Sequence, residues 1–337
     1  RFPTDHLKLK NASLIRYIIE VRRATVLIFH EKSSSLLKFI LVKILRTTKN
    51  IIEVKTDDQN IREYANYPGI YWNYLLTSEE KKAEIRENYG LFLSVCSKLE
   101  YKKAVIVATG PSSGNINHLN FRDALVVSCN SKVRDIEFLD KHKPKFICAG
   151  DVVSHLGISK YAGQFRADLL RYIKDHDGFF VCTLTFGLIF KKHFPEHDHK
   201  IILIPQGENG VLFDLKQHFQ LPILSSTLNI HMLPIAVCFA KDILLVGTDG
   251  RIPNIDNEDF WAHAESSQYH ELVDSGHACH PTFDKHRQKN EYERFINSVN
   301  TSIQALEEKG VKVNTLYESY IDPLVGREMS LDEFLAR

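Results

Sequence analysis

The stretch Lys103–Asn115, KAVIVATGPSSGN, changes character at its midpoint. Ala104 to Ala108 (AVIVA) is a continuous apolar run without polar alternation, the pattern of a strand covered on both faces. Gly110-Pro111-Ser112-Ser113-Gly114 then ends it, because proline has no amide to donate to a ladder and glycine relaxes φ. A strand buried on both sides that runs into a Gly/Ser turn opens an open α/β sheet, where ligands sit outside the C-terminal strand ends. On this loop alone, a tight strand-to-helix turn with no ligand remains an equal reading.

Runs of the same kind lie at Ala24–Phe29, Ala124–Ser128, Phe146–Ala149, Phe179–Thr183, Ile201–Ile204, Ile243–Val246 and Val311–Leu316. Helical patterns fall between them, at Gly163–Lys174, Asn229–Ala240 and Tyr292–Lys309. The alternation predicts an α/β domain over residues 100–337, a mostly parallel, doubly wound (Rossmann-like) sheet with flanking helices. Residues 1–99 read as a mainly helical N-terminal region with at most one small strand pair. Thr77 and Glu80 form a capping box that opens a connecting helix into the sheet. Residues 251–290 have mixed polarity and no clear period, which suits a lid over a bound ligand.

Composition narrows the function classes. The 337 residues are 44% hydrophobic and 25% charged, with 43 Lys+Arg against 42 Asp+Glu, so no global footprint for nucleic acid exists. The first 55 residues are locally basic, with about twelve Lys/Arg against about four acids. That end, with the apolar Leu36–Leu45 segment, allows a peripheral contact with the inner face of a membrane, although a core-facing helix explains the segment as well. No run of about 18 apolar residues occurs. Six cysteines lie singly and mostly in apolar runs, as reduced structural thiols of a cytoplasmic protein do. The chain opens at Arg1 with no leader pattern and reads as a piece of a longer protein.

Two later stretches add chemistry. VVSCNS ends the second strand of the sheet with Cys129-Asn130-Ser131, and SSTLNIHMLPIAVCFAKDILLVGTDGR runs from Ser225 to Gly247-Thr248-Asp249-Gly250-Arg251. With the Gly-Pro-Ser loop, these motifs in this order resemble the bacterial lipooligosaccharide sialyltransferases over about 150 residues. They resemble more loosely the motility-associated glycosyltransferase-like and MptE-like pyrophosphokinase group. The resemblance implies a sialyltransferase-like variant of the GT-A fold and a CMP-sugar donor. It further implies that Gly110, Pro111, Ser112 and Ser113 line the nucleotide phosphate, and that Asn130 contacts nucleotide or sugar. Ser226 and Thr227 would lie near the cytosine or the sugar carboxylate, and Gly247 and Asp249 near the ribose.

Transfer from an activated sugar needs a base and a means to hold the departing phosphate. FWAHAESSQYHELVDSGHACHPTFDKHR supplies His263, His270, His277, His280 and His286. In the resembling family one histidine in this interval is the base; His280 is the first choice here, then His277 and His286. The family places tyrosines soon after its Gly-x-Asp motif, whereas this chain has Arg251, a bidentate phosphate donor. The donor sugar is then of sialic acid or Kdo type, and in a retaining Kdo transferase Asp151 becomes the candidate nucleophile, with His155 to assist. No metal is expected: Asp175-His176-Asp177 precedes a strand, at the wrong end of the sheet for a ligand, and the His277/Cys279/His280 cluster with Asp284 lacks regular helical ligand spacing. The expected partners are a CMP-sugar and a hydroxyl of a surface glycan. A pterin pyrophosphokinase and a non-catalytic nucleotide-binding module are the alternatives.

Overall fold

We describe the fold from a computed structural model covering residues 66–207, 213–251, 262–280 and 289–337, with two isolated strands, β1 (Leu27–His30) and β2 (Ile51–Val54), that pair in parallel. His286, Leu36–Leu45 and the rest of the basic N-terminal stretch lie outside the described residues, as do two flanks of the expected lid.

The main sheet has seven strands. They are β3 (Lys103–Val107), β4 (Leu125–Cys129), β5 (Phe146–Ala149), β6 (Phe179–Thr183), β7 (Ile201–Ile204), β8 (Asp242–Val246) and β9 (Lys312–Thr315). Their spatial order is β7-β6-β5-β4-β3-β8-β9, and every neighbouring pair is parallel. The chain therefore winds outward from β3 to one edge, then returns to β8 and β9 on the other side of β3. The reversal between β3 and β8 is the topological switch point of the sheet. The observed strands match the apolar runs in the sequence to within about two residues at either end, because both faces of each central strand are covered and nothing polar interrupts them.

Helices supply that cover. α1 (Asn66–Ile70) runs into a wide π turn, Tyr71–Leu75, and α2 (Ser78–Cys96) starts at Thr77. The Thr77 hydroxyl accepts from Glu80 N at 3.2 Å while Glu80 Oε2 accepts from Thr77 N at 2.7 Å, so both halves of the capping box form. α2 is part of the sheet's packing: Phe92 and Val95 are in the core, and buried Asn88 accepts from Leu203 N of β7 at 2.8 Å. α3 (Ile136–His142), α4 (Val152–Leu156), α5 (Lys160–Asp175) and α6 (Leu184–His193) follow their strands. α7 (Leu233–Val237) continues a π turn over Leu228–Met232, and α8 (Val273–Ala278), α9 (Lys289–Glu307) and α10 (Leu331–Ala336) follow among the described residues. Phe92, Met232, Val299 and Ile303 pack on one face of the sheet, and Phe138, Phe165, Leu188 and Phe334 on the other. No helix among the described residues is long and apolar enough to cross a membrane.

Candidate functional site

The loops after β3 and β8 meet at the switch point. Ala108 N donates to Val246 O at 2.8 Å and Gly110 N to Gly247 O at 3.0 Å, extending the pairing past the strands. Gly247 has φ of +72°, and a side chain there would also meet Ala108 O at 2.6 Å and Ser113 Cβ at 2.9 Å. At Gly110 a Cβ would lie 2.5 Å from Gly247 O and against the Asp249 carboxylate. These two glycines allow a backbone approach that no other residue fits.

Asp249 braces this junction. Its Oδ1 accepts from Ser112 N at 3.1 Å, and the Ser112 hydroxyl in turn accepts from Gly247 N at 3.1 Å. Burial raises the Asp249 carboxyl above the usual carboxylate range, with the bonds from Ser112 opposing the shift. Its Oδ2 is buried and has no hydrogen-bond partner among the described residues, and neither has the buried Ser113 hydroxyl. Because Ser113 N also donates internally, to Gly110 O at 2.9 Å, the amides of Gly110, Ser112 and Ser113 are all committed inside the protein. A phosphate at this loop has to be met by other donors.

Asn130 adjoins this junction at the end of β4, and Ser226 and Thr227 lead into the π turn at Leu228–Met232. Asn130 follows β4 with φ of +50° and Ser226 has φ of +71°, left-handed conformations that cost a residue other than glycine about 1 kcal/mol or more. Asn229 Nδ2 donates to Ser225 O at 2.9 Å and to the Ser226 hydroxyl at 3.1 Å, which holds the strained residue in place. Thr227 Oγ1 then reaches Asn130 Oδ1 at 3.4 Å and lies over Gly150, where a Cβ would be 2.7 Å from that oxygen. Two motifs nearly a hundred residues apart in sequence are thus brought together at the tips of β4 and β5.

Asp151 comes next along this edge. Its Oδ1 accepts from Val153 N at 2.8 Å and Ser154 N at 3.0 Å as the cap of α4, and Oδ2 accepts from the Ser154 hydroxyl at 2.8 Å. Oδ2 also lies 3.2 Å from His280 Nε2; His270 of the same interval meets a carboxylate too, Glu265 at 3.0 Å, but both of those side chains are exposed, whereas His280 is buried. The His280 side chain is 8% exposed and that of Asp151 35%. Burial works to raise the Asp151 carboxyl, but hydrogen bonding and charge from His280, with help from His155 and the α4 amides, bring it well below the usual carboxylate range. His155 is buried, its Nδ1 donating to Asp151 O at 2.8 Å, and burial lowers its pKa. His277 lies on α8 and its carbonyl accepts from His280 N at 2.9 Å. Arg251 lies with its guanidinium over the Tyr292 ring of α9 at 4.4 Å, and its amide donates to the Tyr292 hydroxyl at 3.3 Å.

Residues 262–280 are seated on the body by polar contacts that the sequence did not disclose. Ala264 N donates to Thr109 O at 2.8 Å, and His263 Nδ1 pairs with the Thr109 hydroxyl at 2.9 Å. The Ser131 hydroxyl donates to Ser267 O. Lys132 is fully buried and donates to Asp135 Oδ2 at 2.9 Å, Ser113 O at 3.0 Å and the Ser266 hydroxyl at 3.5 Å, linking the Gly-Pro-Ser loop to this segment. Tyr269 donates to Asp168 Oδ2 at 2.7 Å and Tyr161 to Gln268 Oε1 at 2.9 Å. Thr109, Lys132 and Gly150 were not singled out in the sequence: in NSKVR a lysine reads as a solvated side chain, and only the long-range fold buries it. Among the described residues no three His, Cys, Asp or Glu side chains gather closely enough to hold a metal ion.

No protein-family model matches the chain, and no curated protein matches it in sequence. Among solved structures it is similar to the Campylobacter jejuni sialyltransferase CstII in complex with cytidine 5'-monophosphate, at 17% identity and a TM-score of 0.39 over 69% of this chain and 87% of that one. The same enzyme with a trisaccharide acceptor and CMP gives 16% and 0.39, over 68% and 87%. The monofunctional α-2,3-sialyltransferase Cst-I from the same organism gives 15% and 0.38, over 68% and 82%.

Proposed function

We propose that the protein is a metal-independent glycosyltransferase that moves an acidic sugar, of sialic acid or Kdo type, from a CMP donor to a hydroxyl of a surface glycan. One observation carries the reading: along one edge of the sheet the Gly-Pro-Ser loop meets the Gly247-Thr248-Asp249 turn at the switch point, Asn130 meets Thr227 at the neighbouring tips of β4 and β5, and Asp151 holds His280. In this reading His280 takes the proton of the attacking hydroxyl. Asp151, whose oxygens already accept four bonds, holds the imidazole and stabilises the imidazolium that forms, so it acts as the partner of the base in an inverting reaction. Asn130, Thr227 and Ser226 line the crevice that receives the donor, and Asp249 fixes the loop beneath it. Arg251 would have to leave Tyr292 to reach the phosphate. The acceptor would be met at the inner face of the membrane through the basic N-terminal stretch.

The test is release of CMP from CMP-sialic acid and CMP-Kdo in the presence of EDTA. The wild-type chain should hydrolyse or transfer one of them, and His280→Ala should lower the rate by about 10²- to 10⁴-fold. Release that EDTA abolishes, or that His280→Ala leaves unchanged, refutes the mechanism; no release from either donor refutes the assignment.

A further inference from the structure

The turn after β3 has a second side. Pro111, Gly114 and Asn115 on that turn, with Arg134, His263 and Glu265, line a pocket of about 610 Å³, within the size range of small-molecule sites. His263 also bonds to Thr109, the residue before Gly110, so an occupant of this pocket lies next to the switch point.

Arg134 gives the pocket its chemistry. Its guanidinium lies 5.0 Å from the centre of the Tyr269 ring, and Tyr269 is itself buried and tied through its hydroxyl to Asp168. The cation therefore sits on a fixed aromatic base. The nearby acids have other partners: Asp135 holds Lys132 at 2.9 Å and caps α3 at Phe138 N, Glu265 pairs with His270 at 3.0 Å, and Asp168 pairs with Arg171 at 3.0 Å. Among the described residues the Arg134 guanidinium has no hydrogen-bond or ion-pair acceptor. A half-buried guanidinium in a pocket wall, oriented by a ring and with no ion-pair partner among the described residues, suits a carboxylate or phosphate that accepts two N–H bonds, with Glu265 of the same wall turned to solvent at 91% exposure.

We propose that this pocket receives an anionic group of the acceptor glycan, a sugar carboxylate or phosphate, and that Arg134 recognises it. The assignment to the acceptor rests on the transferase reading; the preference for an anion does not.

The experiment is a ligand-observed NMR titration of the full chain with methyl glucuronide, glucose 6-phosphate and neutral methyl glucoside, alongside a CMP thermal-shift titration, on the wild type and on Arg134→Gln and Arg134→Lys. One of the two anionic sugars should bind about tenfold or more tightly than the glucoside, and which one distinguishes carboxylate from phosphate. Arg134→Gln should reduce it to the glucoside level, Arg134→Lys should retain part of the preference, and the CMP shift should be the same in all three. Equal binding of the neutral sugar, or anion binding unchanged in Arg134→Gln, overturns the proposal. A CMP shift lost in Arg134→Gln also overturns it, by giving the pocket to the donor phosphate. Arg134-dependent anion binding in a wild type that ignores CMP removes the transferase reading and the acceptor assignment with it, leaving an anion site of another protein class.

Discussion

The two ends of the sheet are built differently. At the N-terminal ends of the strands, lysines close the structure with ordinary contacts. Lys103 donates to Leu335 O at 2.6 Å, Lys145 pairs with Asp177 at 2.6 Å, and Lys200 caps α5 through Ile173 O at 2.7 Å and His176 O at 2.8 Å. On the side of the C-terminal ends, Asn130, Ser226, Gly247 and Gly250 all have positive φ, and Ser113 Oγ, Ser267 Oγ and Asp249 Oδ2 are buried without partners among the described residues. On the other side Arg122, Lys143 and Gly310, just before β4, β5 and β9, also have positive φ, and Asp242 Oδ1 at the start of β8 is buried without a partner among the described residues. Left-handed backbone therefore occurs at both ends; what sets the C-terminal one apart is the crowding around Gly247 and the buried oxygens of Ser113, Ser267 and Asp249 that a ligand can answer.

The sharpest way to break this comparison uses two glycines of the same conformation. Gly247 and Gly310 have φ of +72° and +74°, but only the first is crowded, while nothing lies within 4 Å of a Cβ built at Gly310. Gly247→Ala should cost about 3 kcal/mol or more and abolish nucleotide binding, whereas Gly310→Ala should cost about 1 kcal/mol and leave binding intact. Chemical denaturation and a nucleotide titration of both variants read this directly. Equal costs would show that the switch point is no tighter than an ordinary turn.

Asp151→Asn sharpens the comparison within the active end. Asparagine caps a helix as well as aspartate but lacks the charge that His280 holds, so stability should fall by about 1 kcal/mol or more. The rate of CMP release should still fall by about 10²-fold or more, because the His280 imidazolium loses its counter-charge. A loss of stability with no loss of rate would reduce Asp151 to a helix cap.

Acid should expose two buried neutral histidines, one on each face of the sheet. Burial lowers His142 to about 4 and His231 to about 3. Below the ordinary value near 6.5 the unfolded chain binds these protons and the native state does not, so stability falls as pH drops, by up to about 1.4 kcal/mol per pH unit for each. Denaturant midpoints between pH 7 and pH 5 should show this, and His142→Gln should remove one proton's share of the slope. An unchanged slope in that variant would contradict the burial argument.

The smallest effect belongs to the N-terminal end. Lys145→Met should cost under about 1 kcal/mol, since Asp177 is 90% exposed, and should not touch nucleotide binding. A loss of binding from this variant would erase the division between the two ends.

The fold was legible because its signal is local. Six strands covered on both faces leave six apolar runs, the edge strand β9 alternates exposed and buried residues, and Thr77 and Glu80 announce α2 within four residues. The strand order was not, because nothing in Ile243–Val246 says that it pairs with β3 rather than β7. The Gly-Pro-Ser loop, Asn130, Ser226-Thr227 and Asp249 could be singled out by motif and position, but their contacts could not. Asp249 reads as a ribose acceptor in sequence and in the fold braces Ser112; Arg251 reads as a phosphate donor and lies over Tyr292. Five histidines in one interval look alike until α4 presents Asp151 to His280. Lys132 and Arg134 sit two residues apart in NSKVR and read alike, yet one is fully buried on Asp135 and the other lines a pocket.

The most direct test of the account is a thermal-shift titration of the chain with CMP, CDP, UDP, GDP and ATP, each with and without EDTA. Binding stabilises the native state by about 2.7 kcal/mol at a hundredfold excess over Kd. The account predicts a shift with CMP that EDTA leaves unchanged. A shift confined to ATP or GDP with Mg²⁺ would contradict it and give the switch point to a pyrophosphokinase.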